Sequence, residues 1–473
     1  MSEYKTPENY YFRLHHVRPR FKSDKEGILL FMATEIAKVP ASPSADFNNA
    51  LNNAIRLYPG NATRELKTIN NWRTEISALF ALFIERSDGT TECGRRATEL
   101  ADKQDLVEMF KKFLFLFQYP GAHVKPHEVL EMVGIGIRFK PAQYILKVLQ
   151  AAEADTGGRA FLLREEVCHC IFNDLRCTRD NEAPLSVWKR IVANRQAGYT
   201  YDTSGDVVRY AGDILDYMNI ANLITAHDGR RYYINNLETE TIMRFVNSNQ
   251  WFAGYDAMIK AQSGSLAAIK DEKENWFDYA NSELSETDFE TDILAFIATD
   301  SEEYEALKEA SLVAFKESLD DDDSKIDTKE IGDMGESLVH SHECQRVKIG
   351  GRVDLIHLIK RIPTHFAVGY DIQSVELDER KRYIEVKTTI SSAPLQFNKI
   401  HLTTNEWNAA DTMRERYFVY RLLLSKHKRK LFIIQDPVGL YKKDVLQMVP
   451  RDGAEISFGE KAGQEEELLS WAN

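Results

Sequence analysis

The sequence predicts a multidomain protein: a mainly α N-terminal region with a winged-helix-like segment, and a C-terminal α/β domain whose mixed sheet is flanked by helices. Three observations lead there. At 473 residues the chain exceeds what one hydrophobic core organises. Apolar residues recur at three- and four-residue spacing through much of the first half, and β-prone alternation takes over after residue 368. No 20 to 50 residue period repeats, so a solenoid is not expected.

In chain order, helices are expected over Phe47 to Leu57, Asn71 to Ile84 and Leu106 to Phe117. Tyr119-Pro120-Gly121 breaks the pattern, which closes a first subdomain at about residue 120. Another helical run extends from Pro126 to Ala152, interrupted at Gly134 and Pro141 and ended by Gly157-Gly158. Leu185 to Arg195 is a basic amphipathic helix carrying Lys189, Arg190 and Arg195, and Asp206 to Met218 is the next helix. Leu223 to His227 and Arg230 to Ile234 then flank Asp228-Gly229, a two-residue hairpin signal with Arg230 and Arg231 at the tip. Helices leading into such a hairpin suggest a winged helix over 121–255, and the clustered Arg and Lys suggest contact with DNA phosphates.

The net charge of −13 argues against a nucleic-acid partner only in bulk. Between Asp271 and Glu330 there are 21 acidic and 5 basic residues, a local −16, so the rest of the chain sums to −13 + 16 = +3. Residues 256–328 are therefore expected to form an acidic, partly helical linker. The run Asp320-Asp321-Asp322-Asp323-Ser324 lacks the glycine and spaced oxygen ligands of a calcium loop. Cys168-His169-Cys170 with Cys177 has the residue types of a zinc site, but alternation along a helix or strand would scatter the ligands, and the odd total of five cysteines argues for reduced thiols. No apolar stretch approaches a membrane span and the N-terminus lacks a signal-peptide core, so a cytoplasmic location is expected.

The chemistry is expected in the last domain. Val368 to Ile372 and Arg382 to Thr389 are β-prone runs joined by a charged turn. Residues two apart on a strand share a face, which puts Glu385 and Lys387 together. If the turn centres on Asp378, paired residue numbers sum to 756, so Asp371 would oppose Glu385. Two carboxylates at that separation repel unless a cation lies between them, and magnesium, with its preference for oxygen ligands, suits such an incomplete cage. Lys387 could orient or deprotonate a water or stabilise the attacked phosphate.

Asp371, the tripeptide Glu385-Val386-Lys387 and an upstream Gly335-Glu336 on an expected helix resemble the PD-(D/E)XK nuclease superfamily, with Tyr370 in place of the proline. The resemblance implies an α-β-β-β-α-β nuclease domain over 329–473, with Phe397 to Thr403, a capped helix from Thr404, Tyr417 to Leu424 and Leu431 to Gln435 as further elements. It implies Asp371, Glu385, Glu336 and the Val386 carbonyl as metal ligands, Asp371, Glu385, Lys387 and Glu336 as catalytic residues, and Mg2+ as cofactor with Mn2+ able to substitute. Phe113 to Gly121, the run through Ile145 to Leu149, and Tyr210 to Ile234 are similar to the recognition regions of type IIS and nicking restriction endonucleases. Together the two resemblances imply a type II restriction endonuclease that cuts double-stranded DNA, with a homodimer as one route to double-strand cleavage. Since no G-x-x-x-x-G-K-[ST] phosphate loop occurs, no nucleotide requirement is expected. The alternatives are a defence nuclease sensing modified DNA and a non-catalytic DNA-binding protein that keeps the nuclease-like fold.

Overall fold

The computed structural model describes residues 2–469 except 16, 20, 22–23, 205–206, 319–333, 364–365, 396–397 and 427. The Asp320 to Ser324 tract, Asp206 and Phe397 thus lie outside the described residues. The chain divides into two compact units, Met1–Ala101 with Leu106–Thr291, and Asp102–Asp105 with Asp292–Asn473.

The first unit is mainly helical. Helix Lys25–Ala37 starts where the Asp24 carboxylate accepts from the Gly27 amide at 2.9 Å, satisfying one orphan donor of its first turn. Helices Leu106–Leu116 and Val207–Ile220 bring Phe110, Phe113 and Tyr217 against Phe80, with ring centroids 4.6 to 5.8 Å apart around Phe80. Burying such rings is the main favourable term in a core of this kind. Helix Pro126–Ile135 ends at Gly136, which adopts φ 89°, rather than at Gly134. The helix expected from Asn71 to Ile84 is shorter: Leu66–Asn71 continues as a wider turn over Trp72–Ser77, and Phe83–Glu85 is already a strand.

The hairpin is present, as Ile224–His227 against Arg231–Ile234, and Phe161–Leu163 adds a third strand. Its connection has three residues rather than two, Asp228 to Arg230, with Asp228 at φ 56° and Gly229 at φ 62°. Cys168, Cys170 and Cys177 are buried, and burial pushes each thiol up to about 12.

Two of the expected boundaries fall inside the first unit. The division at residue 120 falls inside one unit. The expected linker from residue 256 is, as far as Thr291, part of that unit: helix Lys273–Ala280 buries Trp276 and Phe277, and its acidic residues pair with Arg86, through Glu274 at 3.3 Å and Asp278 at 2.7 Å. Charge counting hid those aromatic anchors.

In the second unit, helix Ser301–Ser318 precedes α1 (Met334–Ile349), β1 (Lys360–Arg361), β2 (Ile372–Val375), β3 (Lys381–Ile390), β4 (Lys399–Thr403), α2 (Thr404–Met413), β5 (Tyr417–Ser425), β6 (Lys428–Gln435), α3 (Pro437–Lys442), β7 (Leu446–Pro450), β8 (Gly453–Phe458) and β9 (Gln464–Glu467). The main sheet has the order β9-β6-β5-β3-β2-β1 and is mixed, because β5 runs parallel to β3 while the other pairs are antiparallel. β4 is not in it. It pairs with β8 in a second sheet of order β4-β8-β7, and the short β1 takes the edge position instead.

The parallel register sets the two faces. Ile384, Val386, Phe418 and Tyr420 lie on one face, where Glu343 of α1 sits in a polar knot. Tyr383, Glu385, Lys387, Tyr417, Val419 and Arg421 lie on the other. That second face is covered by a core of Ala410 from α2, Ile400 and Leu402 from β4 and Ile456 from β8, packed on Tyr417, Val419 and Ile434.

Candidate active site

The β2–β3 hairpin pairs Ile372 with Ile384 and Val375 with Lys381, the register in which paired numbers sum to 756. At Asp371 the ladder departs from regularity. Its amide donates to the Ile384 carbonyl at 2.9 Å, and its carboxylate Oδ2 accepts from the Val386 amide at 2.8 Å, replacing a main-chain acceptor. The approach to it is tight. Gly369 adopts φ +80°, and a Cβ there would lie 2.6 Å from the Asn405 carbonyl oxygen. The Gly369 carbonyl also accepts from Tyr417 Oη at 2.8 Å.

Glu385 is almost wholly buried, and Lys387 bridges it to α2: the Lys387 ammonium stands 2.7 Å from Glu385 Oε1 and 2.8 Å from Glu406 Oε2. Glu406 is fixed independently. In the capping box at the start of α2 its carboxylate accepts from the Thr403 amide at 3.0 Å, while its own amide donates to Thr403 Oγ1 at 3.4 Å. The capping pattern is visible in the sequence, but nothing local says that the same carboxylate meets Lys387.

Burial pushes the Glu385 carboxyl well above its ordinary range, with Lys387 opposing and the Asp371 and Glu406 carboxylates adding to the rise. Burial alone would depress the Lys387 ammonium, but Glu385 and Glu406 more than offset it and hold it above the usual lysine value. Glu406 stays below the ordinary range, as Lys387 and the Thr403 amide outweigh its burial.

Two carboxyl groups thus face one ammonium, with the Asp371 carboxylate acting on the first of them, Glu385. Among the described residues no three His, Cys, Asp or Glu side chains stand together as a metal site. Asp371, Glu385 and the Val386 carbonyl are nevertheless all-oxygen donors beside an excess of negative charge, a set that fits a hard divalent cation better than a soft one.

Glu336 is on α1, as expected, but its carboxylate is taken by Arg361 at 2.8 Å. Arg361 lies opposite Ile372, one residue from Asp371. The structure therefore brings Asp371, Glu385, Lys387 and Glu406 together, and holds Glu336 on an arginine.

In the first unit, Arg190 pairs with Glu182 at 2.7 Å and Asp174 at 3.4 Å, and Arg195 pairs with Glu166 at 2.7 Å while covering the Phe161 ring. Both guanidinium groups are engaged by buried or half-buried carboxylates. Lys189 is exposed on that helix. Arg230 and Arg231 are exposed at the hairpin tip, Arg231 over Phe161 at 5.3 Å.

Residues 4–277 match the family model described as restriction endonuclease BpuJI, N terminal, and residues 335–434 match the one described as protein NO VEIN, C-terminal. Nine solved chains match. One is the BpuJ1 endonuclease binding domain in complex with pyrene- and phenanthrene-modified DNA, with a TM-score of 0.51 and 23% identity over 59% of this chain and 100% of that one, a likeness of fold. No curated protein matches. Among the described residues, no helix is long and apolar enough to cross a membrane.

Proposed function

This chain belongs to the family of the restriction endonuclease BpuJI N-terminal region, and from that premise we propose that it is a magnesium-dependent restriction-type DNA endonuclease. The first unit binds double-stranded DNA and the second cuts it. The observation that carries the reading is the placement of Asp371, Glu385 and Lys387 at one point of the β2–β3 hairpin, with Asp371 anchored on the Val386 amide at 2.8 Å. The helix, three-strand, helix, strand order of α1, β1, β2, β3, α2 and β5 supports a PD-(D/E)XK assignment, with β4 as an addition ahead of α2.

Asp371, Glu385 and the Val386 carbonyl would hold Mg2+ or Mn2+, which supplies Lewis-acid stabilisation of negative charge on the attacked phosphate and acidifies water. The chain's own groups do the positioning. Glu406, locked by its capping bonds, keeps the Lys387 ammonium in place when Glu385 turns to other work. Lys387 then donates from Nζ to a phosphate oxygen or to the attacking water. Cleavage in this reading needs no nucleotide, and a homodimer would supply the second site for double-strand cutting.

The exposed Arg230, Arg231 and Lys189 are the DNA contacts that this reading retains in the first unit. Arg190 and Arg195 support the scaffold beneath them.

The test is incubation of unmethylated and methylated phage DNA with magnesium, comparing the natural protein with Asp371→Asn and Glu385→Gln. Discrete fragments from the natural protein, abolished in both variants with DNA binding retained, are expected. Cleavage that survives either substitution would remove the site assignment, and a smear in place of discrete fragments would remove the restriction reading.

A further inference from the structure

One charged group on the site face of the sheet, Arg421, stands outside the cluster of Asp371, Glu385, Lys387 and Glu406. The parallel register sets Arg421 of β5 beside Lys387 of β3, so the two side chains leave the sheet on one face. Arg421 is only 1% exposed. Among the described residues its hydrogen bond runs from Nη1 to Asn398 Oδ1 at 3.3 Å, and its guanidinium stands 5.5 Å over the Phe458 ring. Nε and Nη2 are buried with no hydrogen-bond partner among those residues.

A buried guanidinium without a carboxylate is unfavourable in the free protein. Arg86, Arg190, Arg195 and Arg361 all have carboxylate partners. At Arg421 burial lowers the group to about 10, and no carboxylate among the described residues offsets it. Asn398, its partner, is exposed, and an anion in place of its amide oxygen would meet Nη1 of the planar fork.

We propose that Arg421, with Asn398 beside it, forms an anion site for a phosphate group, adjoining Lys387 on the site face of the sheet. The proposal rests on the nuclease reading for the identity of its natural ligand, a backbone phosphate of DNA next to the one attacked. Arg421 fixes the strand so that the reacting phosphate meets Lys387, and is in that sense a positioning residue.

The test uses the full chain. Thermal unfolding is followed with inorganic phosphate and with chloride at equal ionic strength, for the natural protein, Arg421→Gln and Arg421→Lys. Phosphate, and not chloride, should raise the melting temperature of the natural protein. Arg421→Gln should abolish that response while unfolding no earlier than the natural protein in chloride, because it removes an unpaired buried charge. Arg421→Lys should retain part of the response. On a cleaved duplex, Arg421→Gln should raise KM by about tenfold or more, with a smaller change in kcat.

A natural protein indifferent to phosphate overturns the proposal. So does an Arg421→Gln variant that melts earlier in chloride yet keeps the phosphate response, since the arginine would then be structural. If phosphate binding depends on Arg421 but no DNA is cut, the anion site stands and the nuclease reading fails. If DNA is cut and phosphate has no effect, the reverse holds.

Discussion

Glu406 joins two jobs in one carboxylate, since it closes the capping box of α2 and holds Lys387 at 2.8 Å. Glu406→Gln keeps an acceptor for the Thr403 amide but removes the charge that steadies the ammonium. It should therefore lower kcat by about 10²-fold, in the lower range for a mispositioned proton donor, with little loss of stability. Glu406→Ala should add a loss of about 0.5–2 kcal/mol for the missing cap. Single-turnover kinetics beside thermal unfolding separates the two effects. Equal kcat in the natural protein and Glu406→Gln would show that Lys387 needs no second carboxylate. Glu385 and Lys387 can be paired from sequence because strand alternation is local. Glu406 cannot, since the contact depends on where α2 lands after an intervening strand in another sheet, and Arg421 escapes notice because nothing local marks β5 as the neighbour of β3.

At the scale of elements, the polar knot beneath the sheet ties α1 to β2, β3 and β5. Glu343, fully buried, accepts from Arg346 at 2.8 and 2.9 Å, Ser374 Oγ at 2.6 Å and Tyr420 Oη at 2.8 Å, and lies 3.5 Å from Arg382. Burial works against its ionisation, but Arg346 and Arg382 more than offset it and hold the carboxyl below the ordinary glutamate range. A depressed pKa contributes stability that is full above the unfolded value, about 4.3, and is lost as pH falls through the folded value. Acid should therefore unfold the second unit in a step that Glu343→Gln removes, and the variant should lose about 3–5 kcal/mol at neutral pH. Acid titration followed by circular dichroism checks both; an unchanged acid midpoint in the variant would exclude Glu343 as the trigger. The hairpin of the first unit carries its own prediction. The double variant Arg230→Ala, Arg231→Ala should reduce the slope of log K against log salt for DNA binding by up to about two. An unchanged affinity and slope in a folded variant would mean that the hairpin tip touches no phosphate. That hairpin and the β2–β3 register are readable because turn chemistry and alternation fix them within a dozen residues, whereas the ladder departure at Asp371 depends on a side chain replacing a main-chain acceptor.

For the whole molecule, the end of the first unit at Thr291 has a direct consequence for fragments. A piece ending at residue 255 loses Trp276 and Phe277, each worth about 3–5 kcal/mol when removed from a core, so it should be unfolded or aggregated. A piece ending at 291 should fold and bind DNA at low salt. Circular dichroism and anisotropy on the two pieces decide the matter, and a folded 1–255 piece would restore the boundary at 255. The charge run from Asp271 misleads because acidic residues that pair with Arg86 look, in sequence, the same as acidic residues in water.

The cysteines offer a different use of the same division. Cys168, Cys170 and Cys177 are buried with their thiols pushed up to about 12, whereas Cys93 and Cys344 are partly exposed. A maleimide added to the native protein should react at two positions, rising to five in denaturant. Those two lie one in each unit, so the unaltered chain already carries a dye pair or spin-label pair with which the separation of its halves can be followed as DNA is added.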